Sequence, residues 1–251
     1  MEISIRALAP HNCSHVEAGA AASIFWELPP AAEPEDAAFD KQVWMQRVLM
    51  EWGICGYTAL VGTGDAGTHM VPAATVFFAP ASYMQGVEQL PSGPVSPDAI
   101  LLSAVHVALP YMGLYLEHQL IDAVLTEAHR RGIKAVEAFA RLEVEDRTGE
   151  AGYEPESYKG WEAPLETHSG DPVADRLSVA PMLSAEILEA EGFEVVHQHP
   201  EFPRYRAEIA SAAGVFAMFA EDDHAEVNGP EEFYTVTGGG RMRKAVRVLR
   251  R

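Results

Sequence analysis

A few side chains in this chain have the chemistry to move protons or meet anions, and two of them sit in apolar runs. His106 lies within Ala99–Pro110 (AILLSAVHVALP) and Glu137 within Ile133–Ala140 (IKAVEAFA). An imidazole or a carboxylate so placed suits a general base that takes a proton from an amine, directly or through a water. Each has a plainer alternative. His106 could be a buried, hydrogen-bonded core histidine, and Glu137 a solvent-facing strand residue alternating against Val136, Ala138 and Ala140. Between the two runs, Gly113 stands where a strand turns into a helix. Such a turn aims unpaired backbone N–H groups at whatever lies above it, and phosphate fits that geometry. His197-x-His199 has the spacing of two metal ligands on one strand face. No third ligand is evident in the sequence, so a structural role is expected. Asp222-Asp223-His224 reads as a charge run.

These groups need a frame, and residues 99–140 outline one: a buried strand, a tight turn at Tyr111-Met112-Gly113, a helix, then a second strand. The spacing predicts the helix over Leu114–Arg131, with Leu116, Leu120, Ile121, Val124 and Ala128 along one face. Gly132 stops it after two basic residues that suit the negative end of the helix dipole. Upstream, Glu2–Leu8 alternates as a first strand. Ala37–Trp52 is predicted helical, with Phe39, Val43, Trp44, Arg47-Val48 and Met50-Glu51 in a mixed but amphipathic pattern and Gly53 at its end. Cys55–Val61 and Val71–Ala79 read as a hairpin joined through Gly62–Gly67. Downstream, residues 141–181 are rich in acidic residues, Gly and Pro, and are expected to form a long irregular insertion. Pro181–Glu191 is predicted helical, closed by Gly192, and Phe193–His199 and Tyr205–Ile209 are the last paired strands. Trp26, Trp44 and Trp52 are expected in the core or lining a groove.

Several motifs occur in a telling order: Phe25-Trp26-Glu27-Leu28, Glu51-Trp52-Gly53 with Cys55-Gly56, Ser96-Pro97-Asp98, Glu137-Ala138-Phe139, Gly192-Phe193 and Phe202-Pro203-Arg204. Together with the strand–turn–helix unit they resemble the GNAT superfamily of N-acetyltransferases, in an actinobacterial branch of GNAT-like proteins, over roughly Ile24 to Ile209. The resemblance implies a twisted mixed, mostly antiparallel sheet with helices on both faces and a V-shaped gap after the fourth strand. It implies transfer of an acetyl group from acetyl-CoA to an amine, the backbone of Val105, His106 and Val107 taking the pantetheine arm. The pyrophosphate would meet the loop Met112, Gly113, Leu114, Tyr115, Leu116, Glu117 and His118. On the family's Arg/Gln-x-x-Gly-x-Gly/Ala pattern, Met112 takes the Arg/Gln position and Tyr115 and Glu117 take the two glycines. Glu137 would be the candidate base if it faces the cleft. Where many such enzymes carry a tyrosine that protonates the leaving thiolate, the helix Pro181–Glu191 offers only Ser184; Tyr153 or Tyr158 could serve if the insertion folds over the cleft.

The loop argues against ordinary CoA binding. At about 5 Å and an effective dielectric of 20, Glu117 against a phosphate charge costs on the order of 3 kcal/mol, about a hundredfold in affinity. A rival expectation is therefore a GNAT-shaped binding or regulatory protein that has lost CoA binding.

Charge and composition narrow the partners. The formal net charge is −19, from 37 acidic and 18 basic residues, and six of the basic ones lie in RMRKAVRVLRR at positions 241–251. Nucleic acid and anionic membranes are poor partners for so acidic a body, while a cationic small-molecule or peptide amine suits it. No apolar run is long enough to cross a membrane and no secretory pattern is seen, so a cytoplasmic setting is expected, with Cys13 and Cys55 as free thiols. The expected organisation is one GNAT-like domain over 1–220, containing the insertion, and a C-terminal extension over 221–251 with a basic tail. A homodimer is left open.

Overall fold

The computed structural model describes residues 2–30, 35–63, 69–142 and 172–209, together with the backbone of strands at 232–237 and 241–246. The chain divides into two units, Met1–Ile209 and Ala210–Arg251. In the first, the elements run β1 (Ile3–Ala7), α1 (Ala18–Ala22), α2 (Ala37–Glu51), β2 (Gly56–Thr63), β3 (His69–Pro80), β4 (Ala99–Val107), α3 (Leu116–Arg130), β5 (Ala135–Arg141), α4 (Pro172–Ser178), β6 (Leu183–Ser184), α5 (Ala185–Ala190), β7 (Glu194–His197) and β8 (Arg204–Glu208). The second unit holds an antiparallel pair, β9 (Glu232–Thr237) and β10 (Arg241–Val246). The start of the basic tail is thus a paired strand. Asp222-Asp223-His224, Tyr153 and Tyr158 lie outside the described residues.

The sheet of the first unit has the order β1-β2-β3-β4-β5-β8-β7, and β6 pairs β5 off that path. Only the β4–β5 and β5–β6 pairs are parallel, so the sheet is mixed and mostly antiparallel. Alternation along the strands sends side chains to two cores. Val76, Phe78, Ile100, Leu102, Val136 and Ala138 meet α3 and α5 on one face. Phe77, Ala79, Leu101 and Phe139 meet α1, α2 and α4 on the other, with Trp26 and Trp44. Helices therefore cover both faces, as expected.

The five residues expected to face the core from α3 are all fully buried. The helix starts two residues later than its periodicity suggested, because Gly113 (φ +83°) and Tyr115 (φ +54°) hold left-handed conformations ahead of it. At its far end Gly132 is left-handed too, and Ile133 N–H returns to the Ala128 carbonyl at 3.0 Å.

Only part of the mixed apolar pattern of α2 is buried. Lys41, Trp44, Met45 and Val48 face inward, while Phe39, Val43 and Met50 are exposed. A buried pair explains which side faces inward. Lys41 Nζ donates to Glu27 Oε1 and lies 4.3 Å from the centre of the Phe77 ring, so the charge turns inward with two kinds of partner. Residues 172–178 form a helix inside the stretch expected to be irregular. The Arg141 guanidinium donates to the carbonyls of Leu177 (2.6 Å), Ser178 and Ala180 (2.8 Å) and so caps its end. Among the described residues, no helix is long and apolar enough to cross a membrane.

Candidate functional site

The sheet forks between β4 and β5. The two strands pair over Ala99–Ala135, Ile100–Val136 and Leu101–Glu137 and then part, although β4 runs on to Val107. A bulge marks the parting. Val105 faces Val76 and Leu102 faces Phe78, so β4 spends one more residue than β3 over the same span, at Ser103–Ala104. Beyond it β4 stays on β3, and Ala108 N–H donates to the Ala73 carbonyl at 2.8 Å. In an antiparallel ladder that register turns the N–H and C=O of His106 toward β3, and those of Val105 and Val107 toward the fork. An open main-chain edge thus lines one arm.

The other arm carries a short strand of its own. The N–H groups of Ala140 and Leu142 donate to Pro203 (3.1 Å) and Glu201 (2.8 Å), on the β8 side of β5. A strand has two edges, so β6, which pairs Ala140 with Leu183 and Arg141 with Ser184, must lie on the edge that β4 vacates. Ser184 is thereby brought into the fork. Its hydroxyl, exposed, accepts from Ile187 N–H at 3.3 Å and caps α5. The helix expected over Pro181–Glu191 is shorter for this reason: its first residues are strand and cap.

The turn into α3 leads on from β4 through Leu109–Tyr111. The N–H groups of Met112 and Leu114 are already bonded, to Leu109 and Tyr111 at 3.3 Å each, so these two cannot serve an anion through their amides. Those of Gly113, Tyr115, Leu116, Glu117 and His118 have no acceptor among the described residues, and Tyr115 supplies no side-chain cap. The Leu116 side chain belongs to the core, and Leu114 packs against it. Leu109, Met112 and Tyr115 stand exposed, Tyr115 at 70%. Glu117 lies in the first helical turn. His118 is partly buried, and its Nδ1 lies 2.6 Å from Glu191 Oε1, at the end of α5.

Of the two base candidates, Glu137 is placed in the frame. It is fully buried, neither solvent-facing nor open to a cleft water. Its Oε2 accepts from Ser96 N–H (3.0 Å) and Arg204 (3.1 Å), and its Oε1 from Arg206 (3.0 Å). Burial pulls its pKa upward, but the hydrogen bonds from Ser96 and Arg206 and the charge of Arg204 outweigh that and hold it below the ordinary carboxylate value. A carboxylate so satisfied is a weak base.

His106 is less tied up than Glu137. It follows the bulge, faces α1 and α2 opposite Thr75, is half-buried, and has no hydrogen bond among the described residues. A bonded core histidine is thus not what the structure contains. Burial, aided by the charge of Lys41, pushes its pKa down to about 4, with Glu17 working the other way. At neutral pH it is therefore an uncharged imidazole with a free ring nitrogen, one that takes a proton only from a group that has itself become acidic. Sequence reasoning missed Glu17. Its only local signal was an acid heading the small-residue run Ala18–Ala22, where it accepts from Ala20 N–H at 2.9 Å.

The two-histidine spacing near the end of the unit has a structural use. Strand β7 stops at His197, and His199 Nδ1 accepts from Glu201 and Phe202 N–H, pinning the turn before β8. Among the described residues no three His, Cys, Asp or Glu side chains gather to hold a metal ion. Cys13 and Cys55 are both free thiols.

No family model and no curated protein matches the chain. Solved structures do. An N-acetyltransferase from Staphylococcus aureus Mu50 is 10% identical, with 84% of this chain and 100% of that one covered and a TM-score of 0.46. An acetyltransferase of the GNAT family from Streptococcus pneumoniae is 10% identical, covering 83% and 100%, with a TM-score of 0.42. A GNAT family N-acetyltransferase from Escherichia coli in complex with CoA is 16% identical, covering 81% of each chain, with a TM-score of 0.39. Likenesses this distant decide no residue's role.

Proposed function

We propose that this chain transfers an acetyl group from acetyl-CoA to an amine, as a GNAT-like acetyltransferase whose pyrophosphate loop has lost its glycines. The observation that carries this is the fork: β4 leaves β5 after three pairs and offers the Val105 and Val107 main chain beside a helix start whose five N–H groups have no acceptor among the described residues. An amide-bearing arm can add to that edge as a strand would. A diphosphate suits the N–H groups of Gly113 and Tyr115–His118. Glu117 opposes it, so weak binding of the donor is part of the proposal.

The chain's own residues then divide the work. A neutral amine attacks, and His106 takes a proton from its nitrogen as the N–C bond forms and that nitrogen becomes positively charged and acidic. The open N–H groups of the β4 arm stabilise charge developing on the thioester oxygen. Ser184, at the β5 arm, offers its O–H to the leaving sulfur. Glu137 holds Arg204, Arg206 and the Ser96 loop in register and stays out of the chemistry.

The rival is a binding protein of the same fold, favoured by the exposed Leu109, Met112 and Tyr115 and by the carboxylate of Glu117 in the loop. Calorimetric titration with acetyl-CoA, followed by thiol release with a panel of primary amines, separates the two. Binding with amine-dependent thiol release supports transfer, and His106→Gln should then slow release by about a hundredfold or more without weakening the donor. Absence of binding at millimolar acetyl-CoA overturns the proposal in favour of the binding protein.

A further inference from the structure

We propose that the outer face of α2 docks a second copy of this chain, the two α2 helices lying antiparallel across a two-fold axis. The inference is independent of the transfer reaction proposed above.

The face is apolar and turned away from the core. Lys41, Trp44, Met45 and Val48 take the inner side of α2, while Phe39, Val43 and Met50 are exposed at 61%, 50% and 81%. With Gln46, which is also exposed, these three form one stripe at spacings of four, three and four residues. Residues spaced in this way meet a neighbouring helix along a seam, whereas a helix side that faces only water carries polar residues.

The flanks of the stripe select the partner and its direction. Asp40 and Arg47 stand two turns apart on the same flank, and the other flank, Gln42 and Leu49, carries no charge. Antiparallel pairing about an axis midway along the stripe sets Phe39 against the partner's Met50 and Val43 against the partner's Gln46. It also sets Asp40 against the partner's Arg47, and symmetry repeats each of these contacts. A parallel pair brings no such opposite charges together, and flanking charges are what fix orientation in paired helices. The Arg47 side chain is 59% exposed and its neighbours, Glu51 Oε2 at 3.4 Å and the Tyr83 ring at 5.5 Å, lie on that same flank, so its guanidinium is open to an acid across the axis. An unrelated helix would have to match this arrangement, while a second copy matches it by symmetry. A seam one helix wide and about 20 Å long is a small interface. Each copy also carries a formal charge of −19, so the dimer is weak and reversible.

Sedimentation equilibrium of the full chain from about 5 to 500 µM, at about 0.15 M salt, tests this. A monomer–dimer equilibrium is expected within that range. Val43→Glu, at the middle of the stripe, should weaken it about tenfold or more; should that variant melt early by circular dichroism, Met50→Glu takes its place. Asp40→Arg and Arg47→Asp should each weaken the dimer about fivefold or more, because like charges then face each other twice across the axis. An equimolar mixture of these two variants should associate at least as well as the unaltered chain, since every flanking charge then meets its opposite. A chain that stays monomeric throughout, a dimer indifferent to both stripe substitutions, or a mixture no stronger than its separate components overturns the inference.

Discussion

Tyr115→Gly should stabilise this protein. Tyr115 is the one described residue other than glycine at positive φ, at +54°. A left-handed residue with a Cβ costs about 1–2 kcal/mol. Against that, glycine gives the unfolded chain extra freedom worth roughly 0.5–1 kcal/mol. The ring returns little, being 70% exposed with one tilted contact to His118 at 5.9 Å between centroids. Comparing Tyr115→Gly with Tyr115→Ala cancels the ring and isolates the backbone. Glycine should exceed alanine by about 0.5–1 kcal/mol, which for a unit of this size raises Tm by about 1–4 °C. Urea titrations and thermal melts of both variants measure it. Glycine equal to or below alanine would mean that the turn into α3 is not left-handed at this position, and the alignment of Tyr115 with a family glycine would lose its physical basis.

Glu117→Gln should tighten acetyl-CoA by roughly five- to thirtyfold, the full Coulomb cost being reduced because water screens a partly exposed carboxylate. Calorimetry at two salt concentrations should show the gain shrinking as salt rises, and an unchanged affinity would place the diphosphate elsewhere. Lys41→Met should destabilise by about 3–5 kcal/mol because it leaves Glu27 buried with no counter-charge, and adding Glu27→Leu should recover most of the loss. A double variant no better than the single, by urea titration, refutes the buried-pair account. Stability should also fall in acid through Glu127. Hydrogen bonds from Arg130, with help from Arg131, hold its pKa at about 2 in spite of its burial. A depressed carboxylate contributes stability above its unfolded value near 4.5 and loses it as pH drops toward 2, so Glu127→Gln should flatten that part of the curve by about 2 kcal/mol. Melts between those pH values check it.

How legible the chain was depended on how local each signal is. Helix α3 could be read because five apolar residues at helical spacing, an acidic first turn and a stop glycine all lie within twenty residues or so. Glu137 was placed on the right strand, but alternation says only which face a side chain takes. The partners on that face, Arg204 and Arg206, lie 67 and 69 residues away along the chain. The buried side of α2 was not legible for a related reason: a lysine at position 41 faces inward only because Glu27, held near Trp26, neutralises it. His106 looked like a satisfied core histidine because nothing in the sequence shows the bulge that frees β4 from β5. The seating of Leu183–Ser184 on the vacated edge of β5 depends on where the chain returns after residues 143–171, which no periodicity encodes.

The fork also settles a hazard that open main chain brings. Unpaired edges at the rim of a sheet invite other molecules to add strands, which is how aggregation begins. Here the donors and acceptors of Val105 and Val107 lie inside the sheet, between β4 and a β5 arm already occupied by β6. A slender ligand can reach them, whereas a strand of a second protein would have to bring its own side chains past both helical layers. Main chain placed in this way is kept off the rim where strand-by-strand aggregation starts.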